Sequence, residues 1–279
     1  MKIEQKGEVT TVYLDASAGW EQWVMLRSDA HHDSKLCDRA VELRHLKLAQ
    51  ERKALIIDAG DTFDLMQGRF DNRRSYDEIR PEYLRDNYYD LAIDDAINFY
   101  APFAKNFLVI GDGNHEGAVV KNANTNPNDR LVAGLNRAGG NVKHGATGGW
   151  VRFMYSMSGV PKGSLKLYYH HSGGSNSEAP VSKGVIQTNR QGVYLPDADI
   201  VLNGHTHTNY WLAIPRIRLS NKGEPYNDLC HFVRTPGYKR PGAWELSKGM
   251  QPKAVGCVFL RLGWYNDRPT VHITPEIEG

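Results

Sequence analysis

Short apolar runs separated by polar stretches set the outline of this chain. Val24-Met25-Leu26, Leu55-Ile56-Ile57, Phe107-Leu108-Val109-Ile110, Leu165-Lys166-Leu167-Tyr168-Tyr169 and Ile200-Val201-Leu202 each have the length of a buried strand. Val9 to Leu14 predicts a further leading strand. Between the runs the spacing turns helical. After His31, Asp33 or Ser34 can cap a helix in which Leu36, Ala40, Leu43 and the alkyl stem of Lys47 share a face. It ends near Arg52-Lys53, where cations suit the negative end of the helix dipole. Ile93, Ala96, Ile97 and Tyr100 predict a second helix from about Asp90. A third starts at the Asn128 cap and runs through Leu131 and Leu135 to a Gly139-Gly140 stop. The texture then becomes strand-rich. Val142 to Met157 predicts a hairpin region, and the chain beyond His207 predicts antiparallel strands with turns near Asn221-Lys222-Gly223 and Pro236-Gly237. A β-α-β opening followed by strands implies an α/β (α+β) fold.

Each of the five runs leads into side chains that bind metals. The first reaches Asp29 and His31, the second Asp61 and Asp64, and the third Asn114-His115-Glu116. The fourth reaches His170-His171, and the fifth His205 and His207. Ligands of α/β folds sit beyond the carboxyl ends of the strands, so these groups are expected along one edge. Asp29 and His31, two apart, would share one side of an extended segment. Gly60 allows a sharp turn that presents Asp61. No single stretch holds a complete site, so residues 1–279 are expected to fold as one domain. An Arg- and Tyr-rich insertion occupies about 65–90, and a Gly/Ser-rich loop, 172–184, follows His171 directly.

The bulk composition narrows the function classes. A net charge of +2 gives no general affinity for nucleic acid or membranes. Arg69, Arg73, Arg74, Arg80 and Arg85 alternate with acids in the insertion, as a solvated mixed-charge surface or as an anion-facing rim. Cys37, Cys230 and Cys257 form no Cys-x-x-Cys pair, so free buried thiols are expected rather than disulfides or a thiolate zinc site. The polar start Met1 to Lys6, with no apolar run behind it, leads us to expect a cytoplasmic protein.

The donors are Asp, Asn and His without a thiolate. Mixed nitrogen and oxygen ligands suit Mn, Fe, Zn, Co or Ni. Seven of them exceed what one four-coordinate zinc needs and suit two ions that share a carboxylate. Paired ions with a hydroxide between them hydrolyse phosphoesters at neutral pH.

The order Asp-x-His, Gly-Asp-x-x-Asp, Gly-Asn-His-Glu, His, Gly-His-x-His, from Asp29 to His207, resembles the calcineurin-like metallophosphoesterase family. The resemblance implies a two-sheet β-sandwich flanked by helices, a four-layer αββα fold with the site at the sheet edge. It implies that Asp29, His31 and His207 bind one metal, that Asn114, His170 and His205 bind the other, and that Asp61 bridges them. Manganese is the expected ion. It implies that His115 contacts the phosphate and protonates the leaving group, with Asp64 orienting it through a carboxylate–imidazole hydrogen bond. His170 rather than His171 is expected as the ligand, because it follows the strand immediately; His171 would then reach substrate. The role of His32 stays open. Thr235-Pro236-Gly237-Tyr238 is a counterpart of the family's turn after its last His motif.

The expected activity is hydrolysis of a phosphomonoester or phosphodiester on a phosphorylated small molecule or a nucleic acid. A nuclease is the alternative, motivated by the insertion and by the basic stretch Lys35–Lys53. A catalytically inactive protein-binding scaffold is the third reading, weakened by the complete ligand set. The substrate itself is not legible.

Overall fold

A computed structural model describes residues 1–17, 19–65, 77–172, 185–220, 222–249, 253–265 and 268–279. Residues 66–76 of the predicted insertion, with Arg69, Arg73 and Arg74, and residues 173–184 of the Gly/Ser-rich loop therefore lie outside the described residues. In chain order the elements are β1 (Lys2–Lys6), β2 (Val9–Asp15), β3 (Glu21–Arg27), α1 (Arg39–Glu51), β4 (Leu55–Asp58), α2 (Tyr88–Tyr100) and β5 (Phe107–Ile110). There follow α3 (Asn114–Ala123), α4 (Pro127–Arg137), β6 (Lys143–His144), β7 (Gly148–Met157), β8 (Val160–His170), α5 (Val185–Tyr194) and β9 (Ile200–Asn203). The chain closes with β10 (Tyr210–Leu219), β11 (Pro225–Arg234), α6 (Ala243–Ser247), β12 (Val255–Tyr265) and β13 (Arg268–Glu278).

Two sheets stack face to face, with helices outside both. One has strand order β1-β2-β7-β8-β9-β11-β10 and the other β13-β12-β3-β4-β5-β6. Strand periodicity explains the layers. Val24 and Leu26 point into the space between the sheets, where they join Leu55, Ile57, Phe153, Leu167, Leu202 and Leu260. Met25 and Ile56 point the other way, onto Val41 and Leu46 of α1, Ile93 of α2 and Leu131 and Leu135 of α4. On the outer face of the first sheet, Val201, Cys230 and Phe232 pack with Leu195 and Ala198. This is the αββα sandwich that the resemblance implied.

The strands β3, β4, β5 and β6 run parallel to one another, as do β8, β9 and β11. Parallel strands leave through the same edge of a sheet, and the ends of β3, β4, β5, β8, β9 and β11 meet at one rim of the sandwich. Behind that rim, Arg27 at the end of β3 is fully buried. It pairs with Glu42 of α1 at 2.8 Å and with Asp58 of β4 at 2.8 Å.

Three local expectations are corrected. The first helix starts at Arg39, where the Asp38 carboxylate accepts the Val41 N–H, not at Asp33 or Ser34. Its buried face is Val41, Glu42, His45, Leu46 and Ala49, while Ala40 and Lys47 are exposed. A charged Glu42 turned inward to Arg27 is why hydrophobicity alone chose the wrong face. Val142 to Met157 is no hairpin, because β6 and β7 belong to different sheets; β7 pairs with β8 instead, and their turn falls at Ser158-Gly159. The helix expected from Asn128 is α4, and it takes its cap two residues earlier, from Asn126, with Pro127 as its first residue.

Candidate metal centre

The site begins with backbone. Beyond β3 and β4 two loops continue side by side: Asp29 N–H donates to Gly60 C=O at 2.9 Å, His31 N–H to Asp61 C=O at 3.1 Å, and His32 N–H to Thr62 C=O at 2.8 Å. Neither loop is extended. Asp29, His31, Asp61, His205 and His207 have φ of 53°, 47°, 52°, 70° and 54°. Side-chain-bearing residues avoid this left-handed region, at a cost of about 1–3 kcal/mol each in sparsely populated conformations. The Asp-x-His spacing thus converges through left-handed turns, not through strand alternation as expected. Glycine permits the close approach at two places. A Cβ on Gly60, whose φ is +102°, would fall 2.4 Å from Gly113 N, and one on Gly204 would fall 2.5 Å from Asp29 Oδ2.

The side chains follow one scheme: one polar atom is tied to the protein and the other faces a common centre. Asp29 Oδ2 accepts the His205 N–H at 2.9 Å, which Oδ1 shares at 3.1 Å, and the Ser28 hydroxyl, while Oδ1 also faces His207 Nε2 at 3.3 Å. Asp61 Oδ1 accepts the His115 N–H at 2.9 Å, while Oδ2 lies 2.9 Å from His171 Nε2. His31 Nδ1 donates to Asp64 Oδ1 at 3.0 Å, and its Nε2 meets His207 Nε2 at 3.2 Å. His171 Nδ1 donates to the Ala59 carbonyl at 3.0 Å, and its Nε2 is 3.2 Å from Asn114 Oδ1. Three groups of potential ligand atoms result, Asp29-His31-His207, Asp61-His171-His205 and His31-Asp64-His115, with the atoms of each group within 4.8 Å of one another.

This donor set fits a cation. His171 carries its neutral-state proton on Nδ1, so Nε2 turns a lone pair toward the oxygens of Asp61 and Asn114. His31 does the same toward His207 and Asp29. Lone pairs facing one another at these distances repel unless positive charge lies between them. A proton on His171 meets part of the need: burial opposes its protonation, but Asp61 and Asp29 push its pKa up to about 10. At His31 burial outweighs the help of Asp64 and pushes the pKa down to about 4. Burial alone would raise the Asp29 and Asp61 carboxyls. The facing imidazoles, His207 and His171 for the first and His171 and His115 for the second, hold both below the ordinary carboxylate range. Imidazoles with one nitrogen fixed by a carboxylate or carbonyl are the usual supports of a metal site.

Two side chains sit elsewhere than expected. The structure brings His171 into the cluster and leaves His170 outside it. His170 is the last residue of β8, opposite Gly148, with its ring stacked near Tyr168 on the far side of the strand. One residue later the side chain reverses sides, which brings His171 to the centre. The expected Asp64–His115 contact is also different. His115 Nδ1 donates to the Asp64 backbone carbonyl at 2.6 Å, and the carboxylate is 3.5 Å away. That carboxylate serves His31 instead. His115 Nε2 remains directed at the centre, 3.9 Å from Asp61 Oδ2. His32 stays out of the cluster: it is buried against Phe99 and Tyr100 and bonds Asp95 at 3.1 Å.

The sequence reading missed two supports. Glu116 Oε2 accepts the Gly113 N–H at 2.7 Å and the Asp61 N–H at 3.0 Å, and Oε1 accepts the Phe63 N–H at 3.0 Å, so one buried carboxylate fastens the second loop to the start of α3. Its place in Gly-Asn-His-Glu was visible; its function was not. Lys239, buried behind Asp64, gave no signal at all.

No family model matches the chain, and no curated protein matches it. Solved structures of similar outline include the vacuolar protein sorting 29 protein of Cryptosporidium parvum, 13% identical, covering 92% of this chain and 99% of that one at a TM-score of 0.37. Another is a predicted phosphoesterase of Streptococcus pneumoniae, 13% identical, covering 91% and 99% at 0.32. A metallophosphoesterase of Sphaerobacter thermophilus is 14% identical, covering 91% and 88% at 0.33. At these identities and scores the likenesses decide neither activity nor partner.

Proposed function

We propose that this chain is a phosphoesterase that works with two divalent metal ions. The observation that supports the reading is the division of labour in the donor set, in which Asp29, Asp61, His31 and His171 each commit one atom to the protein and aim the other at a shared centre. Asp29, His31 and His207 would hold one ion. Asn114, His171 and His205 would hold the other, with Asp61 between them. Manganese is the first choice, with Fe, Zn, Co or Ni suited to the same donors. Such a pair supplies an ionised water at neutral pH and neutralises charge on the phosphoryl group as it is transferred.

The protein's own part is positional. The left-handed turns at Asp29, His31, Asp61, His205 and His207 set the donors before substrate arrives. His115, fixed through Nδ1, presents Nε2 at the mouth of the site, where a protonated imidazole can donate to a leaving oxygen. The basic stretch Lys35–Lys53 does not favour a nuclease, because Arg39 pairs with Asp95, Arg44 with Glu278 and Arg52 with Glu276. A phosphorylated small molecule is the substrate class we favour. The test is to strip the protein with chelator, reload it with Mn²⁺ and assay a chromogenic phosphomonoester and phosphodiester. Turnover of either supports the proposal; none with any divalent metal refutes it.

A further inference from the structure

Lys239 lies five residues beyond the end of β11 and is buried, with 8% of its side chain exposed. Its ammonium is 3.2 Å and 3.4 Å from the two oxygens of Asp64 and 2.7 Å from Glu78 Oε2. Both acidic residues are tied in by further bonds. Asp64 accepts the His31 Nδ1 proton, and its peptide carbonyl accepts that of His115. Glu78 is the second residue of the described segment that follows residues 66–76, and its backbone carbonyl accepts the Lys35 N–H at 2.8 Å. At the other foot of that stretch, Asp33 accepts the N–H groups of Asp64 and Leu65 at 2.6 Å and 3.0 Å. Asp64 is therefore held from three sides: by Asp33 at its backbone, by His31 at one oxygen, and by Lys239 at both.

A lysine is almost never buried unless it is paired, and here the pairing grips both oxygens of Asp64 and one of Glu78. With both oxygens held by Lys239, the Asp64 carboxylate presents Oδ1 to His31 Nδ1 at 3.0 Å, which turns His31 Nε2 toward Asp29 and His207, where an ion would bind. Groups behind the ligands that fix tautomer and ring orientation in this way are typical of metal sites.

We propose that Lys239 is a positioning residue of the metal centre: through Asp64 it holds His31 in the tautomer and orientation that bind the ion, and through Glu78 it ties that arrangement to the segment leaving residues 66–76. This rests on the metal-centre reading above. The test measures Mn²⁺ binding alone, by competition with a chelator, on metal-depleted protein whose folding is followed separately by thermal unfolding in EDTA. Lys239→Met should weaken Mn²⁺ binding about 10- to 100-fold, the usual loss when a support behind a ligand is removed. Lys239→Arg, which keeps the cation, should recover most of it. In a double-mutant cycle Lys239→Met should add nothing once Asp64 is Asn, because the two act on one path. A lysine that merely staples two segments would lower the unfolding temperature, leave Mn²⁺ affinity unchanged and act additively with Asp64→Asn; that outcome overturns the inference while the metal reading survives. Should Lys239→Met not fold, the pair Lys239→Gln with Glu78→Gln, which removes one carboxylate with the cation, carries the same expectation. Absence of Mn²⁺ binding by the parent chain overturns both readings.

Discussion

The two ends of the sandwich invite comparison. At the end where β3 begins, the sheets splay into a cleft of about 1020 Å³, walled by the β10–β11 and β12–β13 hairpins and lined by Trp20, Tyr226, Leu229, Trp264 and Tyr265. At the end where β3 finishes lies a rim crowded with Asp, Asn and His. Size and apolar lining point to the cleft as the usual ligand site. Backbone and donor geometry point to the rim. No non-glycine residue lining the cleft has a left-handed φ, while five candidate ligands at the rim do. Strain kept by surrounding structure, together with donors whose second atoms are already fixed, is the better marker of chemistry here. The cleft is where two twisted sheets part at their edges.

The comparison can be broken most sharply at Asp61. Replacing it by Ala removes the carboxylate proposed to lie between the two ions, so metal and phosphoesterase activity should be lost together. Metal analysis and rate assays on folded protein check this, and a variant that keeps both would return attention to the cleft. His171→Ala should lose metal in the same assays, whereas His170→Ala should keep it. Next comes His115→Ala, expected to slow turnover about 10²- to 10⁴-fold, the scale of general acid catalysis. Its metal content should be unchanged, and loss of an ion would move His115 into the ligand set.

A stability test probes the support beneath the rim. Burial alone would raise Glu42, but Arg27, followed by His32 and Tyr100, holds it down at about 2, below its ordinary 4.5. A folded pKa below the unfolded one means that its contribution is complete above about pH 4.5 and fades as pH falls toward 2. Glu42→Gln should flatten that part of the stability–pH curve. It should also cost about 3–5 kcal/mol near neutrality, as breaking a buried pair does. Denaturant unfolding at several pH values reads both, and a variant with the parent's acid profile would contradict the assignment. The smallest effect belongs to the cleft: Leu229→Ser, at an exposed site, should change stability by no more than about 0.5 kcal/mol and leave the rate alone. A marked loss of rate there would erase the distinction between the two ends.

Much of this was legible before the structure. Runs such as Leu55-Ile56-Ile57 are apolar on every residue because both faces of a central parallel strand are covered, and donors collected at their ends because such strands leave together. What the chain did not disclose depends on a single peptide's direction or on distant contacts. His170 and His171 are chemically identical, and only the last residue of β8 decides which faces the centre. Asp64 was assigned to the wrong imidazole because its spacing to His31 and to His115 says nothing about which of its oxygens, side-chain or backbone, each ring meets. The face of α1 was misread because Glu42 is buried for Arg27, a pairing no hydrophobic pattern encodes. Lys239 and Asp64 are far apart in sequence, and nothing local to either predicts that they touch.

The central claim is that two ions share Asp61. Electron paramagnetic resonance of the metal-depleted chain titrated with Mn²⁺ tests it most directly. Two ions sharing Asp61 would give a spin-coupled Mn²⁺ pair whose coupling disappears in Asp61→Ala. A spectrum of isolated Mn²⁺ at every loading, or no bound Mn²⁺ at all, would contradict it.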